Sequence, residues 1–372
     1  MKVAILGDFH FGYDRFYDDS FIQAEQALLK AQDEADLLIV AGDLFDSRTP
    51  KQEVIARAIE VFRKLHKKAI VIHGTHERRP HGFANPVDIL TKAGLAESCH
   101  GRHVIFEKDG EKVAVYGMAG VPEEYAKAAL ERLAPKPVEG AFNIFMFHQN
   151  LKELMPQVES GLTMDDLPPG FELYVDGHLH KNYSLEKAGK LLLIPGSTVL
   201  TQVRREEREK GFYIYDTNTR RYTYITIQTR PFIYLTVEAK EGISLKQAIA
   251  EKLAQLDLTS HPIVRIDITG SIASFVQPEI SALRDQYSDK CHLFVNISRE
   301  SEPVEMHFGD IQQITASNTS IRERGITILK EAAARRGIAI SNIEEAFEMM
   351  CEADDRSLMQ YFINASANNN AK

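Results

Sequence analysis

The segment Val175-Asp176-Gly177-His178-Leu179-His180 decides the predicted fold, because an apolar run ends there in a glycine and two histidines. Short apolar runs bounded by turn residues are typical of strands that are buried on both faces of a sheet. Four earlier runs end in the same way, in residues able to bind a metal ion. They are Val3–Leu6 before Gly7-Asp8-Phe9-His10, Leu37–Ala41 before Gly42-Asp43-Leu44-Phe45-Asp46, Ala69–Ile72 before His73-Gly74-Thr75-His76-Glu77, and Ile144–Phe147 before His148-Gln149-Asn150.

The candidate ligands are expected to converge. Mostly parallel strands place their carboxyl ends at one edge, where open α/β sheets bind their ligands. The residues brought together would be Asp8, His10, Asp43, His148, His178 and His180. Six such donors exceed one tetrahedral site, and a carboxylate such as Asp43 can bridge, so the set predicts two cations about 3.5–4 Å apart. Nitrogen and oxygen donors without cysteine favour Mn, Fe or Zn, and two metals beside a phosphate predict phosphoester hydrolysis.

Length and composition narrow the class of protein. A chain of 372 residues is expected to form two or three domains. The net charge of -9 argues against a general affinity for polyanions, so any nucleic-acid surface must be a local patch. Three scattered cysteines do not form a disulfide framework, and Met1-Lys2-Val3 enters a strand without a signal peptide, so a cytoplasmic location is expected. No apolar run approaches the roughly 20 residues of a membrane span.

The predicted architecture is α/β. Residues 1–229 form a four-layer αββα sandwich, in which the runs 183–187, 190–194, 211–216 and 221–226 are predicted as strands of the second sheet. Residues 230–308 form a small αβ capping domain that follows Arg230-Pro231. Residues 309–320 are predicted as a polar linker, and residues 321–372 as a helical tail. Two short amphipathic helices after a linker suit docking onto a partner protein, and packing back onto their own domain is the alternative.

Five residues near the predicted centre are candidates for substrate contact: Tyr13, Arg15, Arg78, Arg79 and Ser197. The first two lie on the loop that leaves the Asp8/His10 pair, and they either contact substrate or only pack that loop. The arginine pair is suited to clamping a phosphate, and a solvated loop is its alternative. Ser197 lies in the turn Pro195-Gly196-Ser197-Thr198, which either holds a phosphate or is a plain turn. The mixed-charge run 204–210 is predicted to be solvated.

The order Asp-x-His, Gly-Asp-x-x-Asp, Gly-x-His-Glu, His and Gly-His-x-His resembles the calcineurin-like metallophosphoesterase superfamily. Within it, Gly177-His178-Leu179-His180, the Pro195-Gly196-Ser197 turn, the small αβ domain and the helical tail are similar to the nuclease subunit of the double-strand-break repair complex. That family is called SbcD in bacteria and the meiotic recombination nuclease in archaea and eukaryotes. This chain looks most like the archaeal branch.

The resemblance implies a set of roles. Asp8, His10, Asp43 and His180 would hold one metal, while Asp43, His148 and His178 would hold the second. His76 would act catalytically as a proton donor or transition-state group. The family is a manganese-dependent DNA nuclease with two Mn²⁺ per subunit, acting as a 3′-to-5′ exonuclease and single-strand endonuclease on DNA ends. It forms homodimers and works with a coiled-coil ABC ATPase, for which the helical tail is a candidate docking segment.

One position departs from the family pattern. Thr75 stands where the family usually has an asparagine ligand of the second metal, so that site is expected to be weaker. Two alternative functions follow. The first is a small-molecule or cyclic-nucleotide phosphodiesterase of the same superfamily, which would need neither the capping domain nor the tail. The second is a DNA-end-binding scaffold with a weakened metal site.

Overall fold

A computed structural model describes residues 1–80, 82–155, 160–203, 208–239, 244–270 and 277–297, together with five isolated helical positions in the tail. These positions are Ile326, Lys330, Ile343, Glu344 and Phe347. The chain divides into one unit of Met1–Glu300 and another of Ser301–Lys372. The predicted linker and the rest of the predicted tail lie outside the described residues. No helix in the described ranges is both long and apolar enough to cross a membrane.

Fifteen strands and six α-helices make up the described part of the first unit. The strands are β1 Lys2–Leu6, β2 Leu37–Ala41, β3 Ala69–Ile72, β4 Ala96–Ser98, β5 His103–Lys108, β6 Glu111–Met118, β7 Phe142–Phe147, β8 Leu173–Asp176, β9 Tyr183–Lys187, β10 Lys190–Ile194, β11 Gly211–Asp216, β12 Arg221–Thr226, β13 Phe232–Glu238, β14 Ile263–Thr269 and β15 His292–Ile297. The helices are α1 Tyr17–Glu34, α2 Gln52–Arg63, α3 Pro86–Lys92, α4 Ala126–Leu133, α5 Leu245–Leu253 and α6 Gln277–Tyr287.

Two six-stranded sheets form the centre of the body. The first has the order β12-β11-β1-β2-β3-β4 and the second the order β5-β6-β7-β8-β10-β9. The neighbours β1, β2, β3 and β4 run parallel, as do β6, β7, β8 and β10. Because side chains alternate along a strand, Val3 and Ile5 point between the sheets, while Ala4 and Leu6 face α1 and α2.

The outer faces of both sheets are covered, as the sandwich prediction requires. Helices α1, α2 and α3 pack on the first sheet. Helix α4 and the segment around Leu162 and Leu167 pack on the second. The four-layer αββα prediction is therefore confirmed.

Two predicted strands belong to the other sheet. The run 211–216 forms β11, which pairs antiparallel with β1, and β12 pairs with β11. Both strands thus extend the first sheet, whereas β9 and β10 do lie in the second. Alternation within a strand indicates which face is buried and leaves its pairing partner open, so the sequence prediction was wrong on this point.

The small domain is a three-stranded parallel sheet, β13-β14-β15, with α5 and α6 packed against it. It has its own apolar core. A second apolar cluster joins it to the body, where Phe16, Val199 and Leu200 meet Ile263. Arg230 forms a bidentate ion pair with Asp19, in which both N···O distances are 2.6 Å. The small domain is thereby held against the body beside the loops that carry the predicted centre.

Candidate metal centre

The carboxyl ends of β1 and β2 in one sheet meet those of β7 and β8 in the other. The side chains that follow these strands form two groups, Asp8/His10/His180 and Asp43/His148/His178. Within each group the potential ligand atoms lie within 4.8 Å of one another. A further group joins His10 and Asp43 to His76. The structure thus brings together all six residues predicted as principal ligands, with Asp43 in two groups.

The backbone at four of these residues is unusual. Asp8, His10, Asp43 and His178 have φ values of 53°, 49°, 48° and 71°, in the left-handed region. That conformation costs a residue with a side chain about 1–2 kcal/mol. Backbone hydrogen bonds hold it in place, from Asp8 N to Gly42 O and from His10 N to Asp43 O, both 3.0 Å. Strain of this kind is concentrated at functional sites, where the surrounding structure enforces it.

Three of the four predicted histidine ligands are oriented through Nδ1. That atom lies 3.1 Å from Asp46 Oδ1 in His10, 2.7 Å from Ala41 O in His148 and 2.6 Å from Thr201 Oγ1 in His180. When Nδ1 is engaged in this way, Nε2 is left for a metal, and such outer contacts fix both the tautomer and the ring orientation. The Nε2 atoms of His10 and His180 lie 3.1 Å apart, as expected for two rings directed at one point.

Two buried atoms of the cluster show that the residues fit cations. Asp8 Oδ2 and His148 Nε2 are buried and have no hydrogen-bond partner among the described residues. His148 Nε2 lies 3.2 Å from Asp43 Oδ2. Leaving a buried polar atom unsatisfied costs about 1–3 kcal/mol, and a bound cation would remove that cost. A set of nitrogen and oxygen donors without thiolate suits Mn, Fe or Zn.

The electrostatics of the cluster lower the pKa of two of its histidines and raise that of a third, His148. Burial raises the pKa of Asp8 to about 7. Burial also lowers the pKa of His178 to about 4 and that of His180 well below its usual value. For His148 the cost of burial is outweighed by the charge of Asp43, which raises its pKa to about 10. Neutral imidazoles are the metal-binding form, so His178 and His180 are ready to act as ligands at neutral pH.

Glu77 connects two loops of the centre by hydrogen bonds, a role that the sequence motif did not predict. Its carboxylate accepts hydrogen bonds from the backbone N–H groups of Phe45 and Gly74, both at 2.7 Å. Burial raises its pKa to about 8. Glu77 therefore joins the loops after β2 and β3. Asp46 and Thr201 are further positioning residues that were not predicted, and no local pattern marks Thr201.

His76 lies at the open side of the centre. Its side chain is 42% exposed, and its ring centroid is 4.9 Å from that of His10. Nδ1 lies 3.0 Å from the carbonyl oxygen of Asp46 and therefore donates a hydrogen bond to it. Nε2 is then the atom available to a substrate or a cation. Next to it, the Thr75 hydroxyl donates to Asp43 Oδ2 over 3.3 Å, which places Thr75 beside the second group.

The candidate substrate residues differ in what they contact. Tyr13 donates a hydrogen bond of 2.8 Å to Thr201 O. Arg15 is exposed, with its guanidinium 5.5 Å from the ring of Phe294 in the small domain. Arg78 is half-buried close to the second group, and its charge contributes to the lowered pKa of His178. Arg79 instead donates to Arg48 O and stacks over Phe83, so it supports its own loop.

Two predictions on the far side of the centre need correction. Ser197 is fully buried, and its hydroxyl donates to Val199 O over 2.7 Å and accepts from Lys210 over 2.8 Å. It is therefore a structural residue of the turn, with no exposed hydroxyl for a phosphate. Lys210 belongs to the run predicted to be solvated, yet it is 2% exposed. Arg208 and Glu209 beside it are exposed as predicted.

An open cleft runs between the body and the small domain. Its volume is about 350 Å³, and its lining includes Arg15, Thr201, Arg265, Arg284, Phe294 and Asn296. Thr201 connects the cleft to the centre, since the same residue holds the ring of His180. Among the described residues, the guanidinium groups of Arg15 and Arg284 have no hydrogen-bond or ion-pair partner. The cleft thus offers cationic groups beside the candidate metal ligands.

The chain matches known proteins over the same region. A model of the calcineurin-like phosphoesterase superfamily domain matches residues 1–220. The DNA double-strand break repair protein Mre11 of Methanopyrus kandleri is 27% identical over 249 residues, which are 58% of this chain and 54% of that protein. The corresponding protein of Sulfurisphaera tokodaii is 31% identical over 204 residues, 52% of this chain and 50% of that protein.

A third relative extends further along the chain. The protein of the same name from Thermoplasma acidophilum is 27% identical over 293 residues, 72% of this chain and 77% of that protein. The chain spans about half the length of the first two relatives. The family model covers more than half of the chain and includes every residue of the two ligand groups. The chain therefore belongs to the calcineurin-like phosphoesterase superfamily.

Proposed function

We propose that the chain is a metal-dependent phosphodiesterase that processes DNA ends. The observation that carries the proposal is the cluster of ligand groups around Asp43, which is grouped with His148 and His178 and also with His10 and His76. Asp8, His10, Asp43 and His180 would hold one cation, and Asp43, His148 and His178 the other. Bound there, two divalent cations would supply Lewis acidity toward a phosphodiester and activate water for in-line attack. Manganese is the metal proposed, on the resemblance of the motifs and the suitability of the donors.

The chain's own residues supply positioning and proton transfer. Asp46, Ala41 and Thr201 orient three imidazoles, which reduces the reorganisation needed when a substrate binds. His76 is proposed to hold or release a proton at Nε2, next to the oxygen that leaves or attacks. Its exposure and its Nδ1 hydrogen bond to Asp46 O support this role.

DNA is the proposed substrate because the relatives are named as DNA double-strand break repair proteins. The cleft with Arg15 and Arg284 supports a path for a phosphate backbone in a chain whose net charge is -9. Both 3′-to-5′ exonuclease and single-strand endonuclease activity are proposed. A homodimer and a coiled-coil ABC ATPase partner complete the proposal, with the tail after residue 320 as the docking segment.

The test is manganese-dependent cleavage of end-labelled duplex and hairpin DNA, run beside bis-p-nitrophenyl phosphate. Asp8→Ala and His148→Ala are the negative controls, because each removes one ligand from a different group. Cleavage of both DNA substrates by the wild-type protein, and loss in both variants, is the expected result.

The alternatives give different outcomes in this experiment. Cleavage of bis-p-nitrophenyl phosphate without cleavage of DNA would favour a small-molecule phosphodiesterase. Retention of DNA without cleavage of either substrate would favour a DNA-end-binding scaffold, which the Thr75 departure keeps open.

The partner proposal has its own test. A chain truncated at Gly309 is expected to remain a soluble, dimeric nuclease and to lose co-purification with the ATPase. Retained co-purification would place the docking surface elsewhere.

A further inference from the structure

Lys210 is a buried lysine that contacts the loop of His180, one of the predicted metal ligands. It precedes β11 and is 2% exposed, although Arg208 and Glu209 just before it face solvent. Lysine is almost never fully buried unless its ammonium group is paired, because an unpaired buried charge is very costly. A lysine in this position therefore requires specific acceptors.

Two acceptors of the Lys210 ammonium group belong to loops of the centre. Lys210 Nζ donates to the carbonyl oxygen of His180 over 3.1 Å and to Ser197 Oγ over 2.8 Å. Ser197 N also donates to His180 O, at 3.1 Å. The next residue, Thr198, donates its N–H to Asp8 O at 3.3 Å. The ammonium group thus ties the His180 loop to the 195–198 turn, which in turn contacts the backbone of Asp8.

His180 depends on such ties because no strand holds its backbone. It lies between the end of β8 at Asp176 and the start of β9 at Tyr183. Thr201 Oγ1 holds its ring at Nδ1, and Lys210 holds its carbonyl oxygen. Together the two contacts direct Nε2 toward His10 Nε2, 3.1 Å away. The group Asp43/His148/His178 is oriented by other contacts, in which His148 Nδ1 meets Ala41 O and His76 N donates to Asp43 Oδ1.

We propose that Lys210 is a positioning residue that fixes the backbone of His180 and thereby sets the metal affinity of the Asp8/His10/His180 group selectively. The proposal rests on the proposed function, since it concerns the same metal centre. It assigns Lys210 no contact with substrate or with a reacting atom. Replacing Lys210 is therefore expected to change the manganese affinity of one cation site and to leave that of the other nearly unchanged.

Lys190 provides a matched control. Its Nζ donates to two backbone carbonyl oxygens, those of Met164 and Leu167, each at 2.8 Å. Lys190 is partly buried at the amino end of β10. The 195–198 turn, which contacts the centre, follows the opposite end of that strand. Replacing either lysine by methionine removes an ammonium donor from at least two oxygen acceptors and keeps a similar length of side chain. Of the two lysines, Lys210 donates to a predicted metal ligand, His180, and Lys190 does not.

The experiment compares the full-length wild type with Lys210→Met and Lys190→Met. Manganese binding is measured by calorimetric titration, and the coordination environment is followed by the visible absorption of bound Co²⁺. We expect Lys210→Met to lower the affinity of the tighter site by about 10- to 100-fold, as losses of outer ligand contacts do, and to change the Co²⁺ spectrum. Lys190→Met should lower Tm and leave both affinities and the spectrum as in wild type.

Two further variants of Lys210 test the same contact. Lys210→Arg retains cationic donors and is expected to restore part of the lost affinity. If Lys210→Met does not fold, Lys210→Gln replaces it, since its shorter amide cannot reach both acceptors and the same selective loss is expected. Wild-type affinities and spectrum in a folded Met or Gln variant would overturn the proposal while leaving the metal centre intact. A wild-type protein that binds no manganese would overturn the metal centre and this proposal together.

Discussion

The body and the small domain both contain neighbouring parallel strands, and they differ in the residues that follow those strands. In the body, β1 and β2 are followed by Asp8, His10 and Asp43, all in left-handed backbone. In the small domain, β14 is followed by Gly270, which adopts φ +91° without strain. Parallel strands bring loop residues together in both regions. Chemistry requires in addition that polar side chains be held there in conformations that cost energy.

The interiors differ in the same way. The small domain buries Ile249, Val264 and Ile266 in an apolar core, and its Arg265 pairs with Asp267. In the body, Asp8 Oδ2 is buried without a hydrogen-bond partner among the described residues, and the buried His148 Nε2 faces the carboxylate of Asp43 at 3.2 Å. Substitutions of similar chemistry should therefore affect catalysis in one region and not in the other.

The largest difference is expected between Asp43→Asn and Asp267→Asn. Asparagine tolerates the left-handed backbone at position 43 and can still accept the hydrogen bond from His76 N, so the fold should survive. Hydrolysis of bis-p-nitrophenyl phosphate should fall roughly 1,000-fold or more, because Asp43 is grouped with His148 and His178 and also with His10 and is the carboxylate proposed to bridge the two cations. Asp267→Asn should leave it near wild type. Two equivalents of manganese still bound by Asp43→Asn in calorimetry would show that the carboxylate does not bridge.

His76→Ala tests whether the exposed edge of the centre contributes a proton or a ligand. A loss of activity of about 100-fold is expected for removal of a general acid or base, with both manganese ions still bound. His103→Ala is the control, since His103 also bonds a backbone carbonyl, Lys136 O at 2.8 Å, outside the two ligand groups. If His76→Ala instead loses one equivalent of manganese, His76 is a ligand in its group with His10 and Asp43.

Thr75→Asn should have a smaller effect and the opposite sign. The threonine hydroxyl reaches Asp43 Oδ2 at 3.3 Å, and a longer amide in its place would add an oxygen donor to the second group. We expect two separated manganese affinities in wild type, and an increase of about tenfold in the weaker one in Thr75→Asn. Activity at low manganese concentration should rise with it. Unchanged affinity and activity would show that the side chain at position 75 is not a ligand.

The smallest effects are expected at the boundary between the two regions. Arg15→Ala and Arg284→Ala should weaken duplex digestion several-fold and spare bis-p-nitrophenyl phosphate, because neither residue belongs to a ligand group. If each contacts a phosphate, the logarithmic salt dependence of DNA binding should fall by about 1 per variant. An equal loss of activity toward duplex DNA and bis-p-nitrophenyl phosphate would show that these arginines support the structure and do not contact DNA.

These point substitutions test the small domain better than its removal. Deleting everything after Arg230 should in principle spare the small ester more than duplex DNA. However, the deletion also exposes Phe16, Val199 and Leu200, which pack against Ile263. Loss of both activities in an aggregated truncation would then say nothing about the path of DNA, whereas the arginine variants keep this cluster intact.

The sequence alone determined the bounds of several strands and which polar residues converge at their ends. The runs 183–187, 190–194, 211–216 and 221–226 have the bounds of β9, β10, β11 and β12, and all six predicted ligands lie in the groups that the structure forms. Both results depend on local information. Apolar runs and turn residues mark where a strand ends, and a ligand that directly follows a strand is carried to the shared edge by the strand itself.

Only the tertiary structure decided which polar residues turn inward and which sheet each strand joins. Lys210 and Ser197 are buried because the His180 loop and the 195–198 turn meet behind the centre, a contact between segments distant in the chain. Strand β11 joins the first sheet by pairing with β1, which lies about 200 residues earlier in the chain. Burial and pairing depend on the free energy of contacts between such distant segments, and a charged or alternating run has the same local pattern whether or not those contacts form.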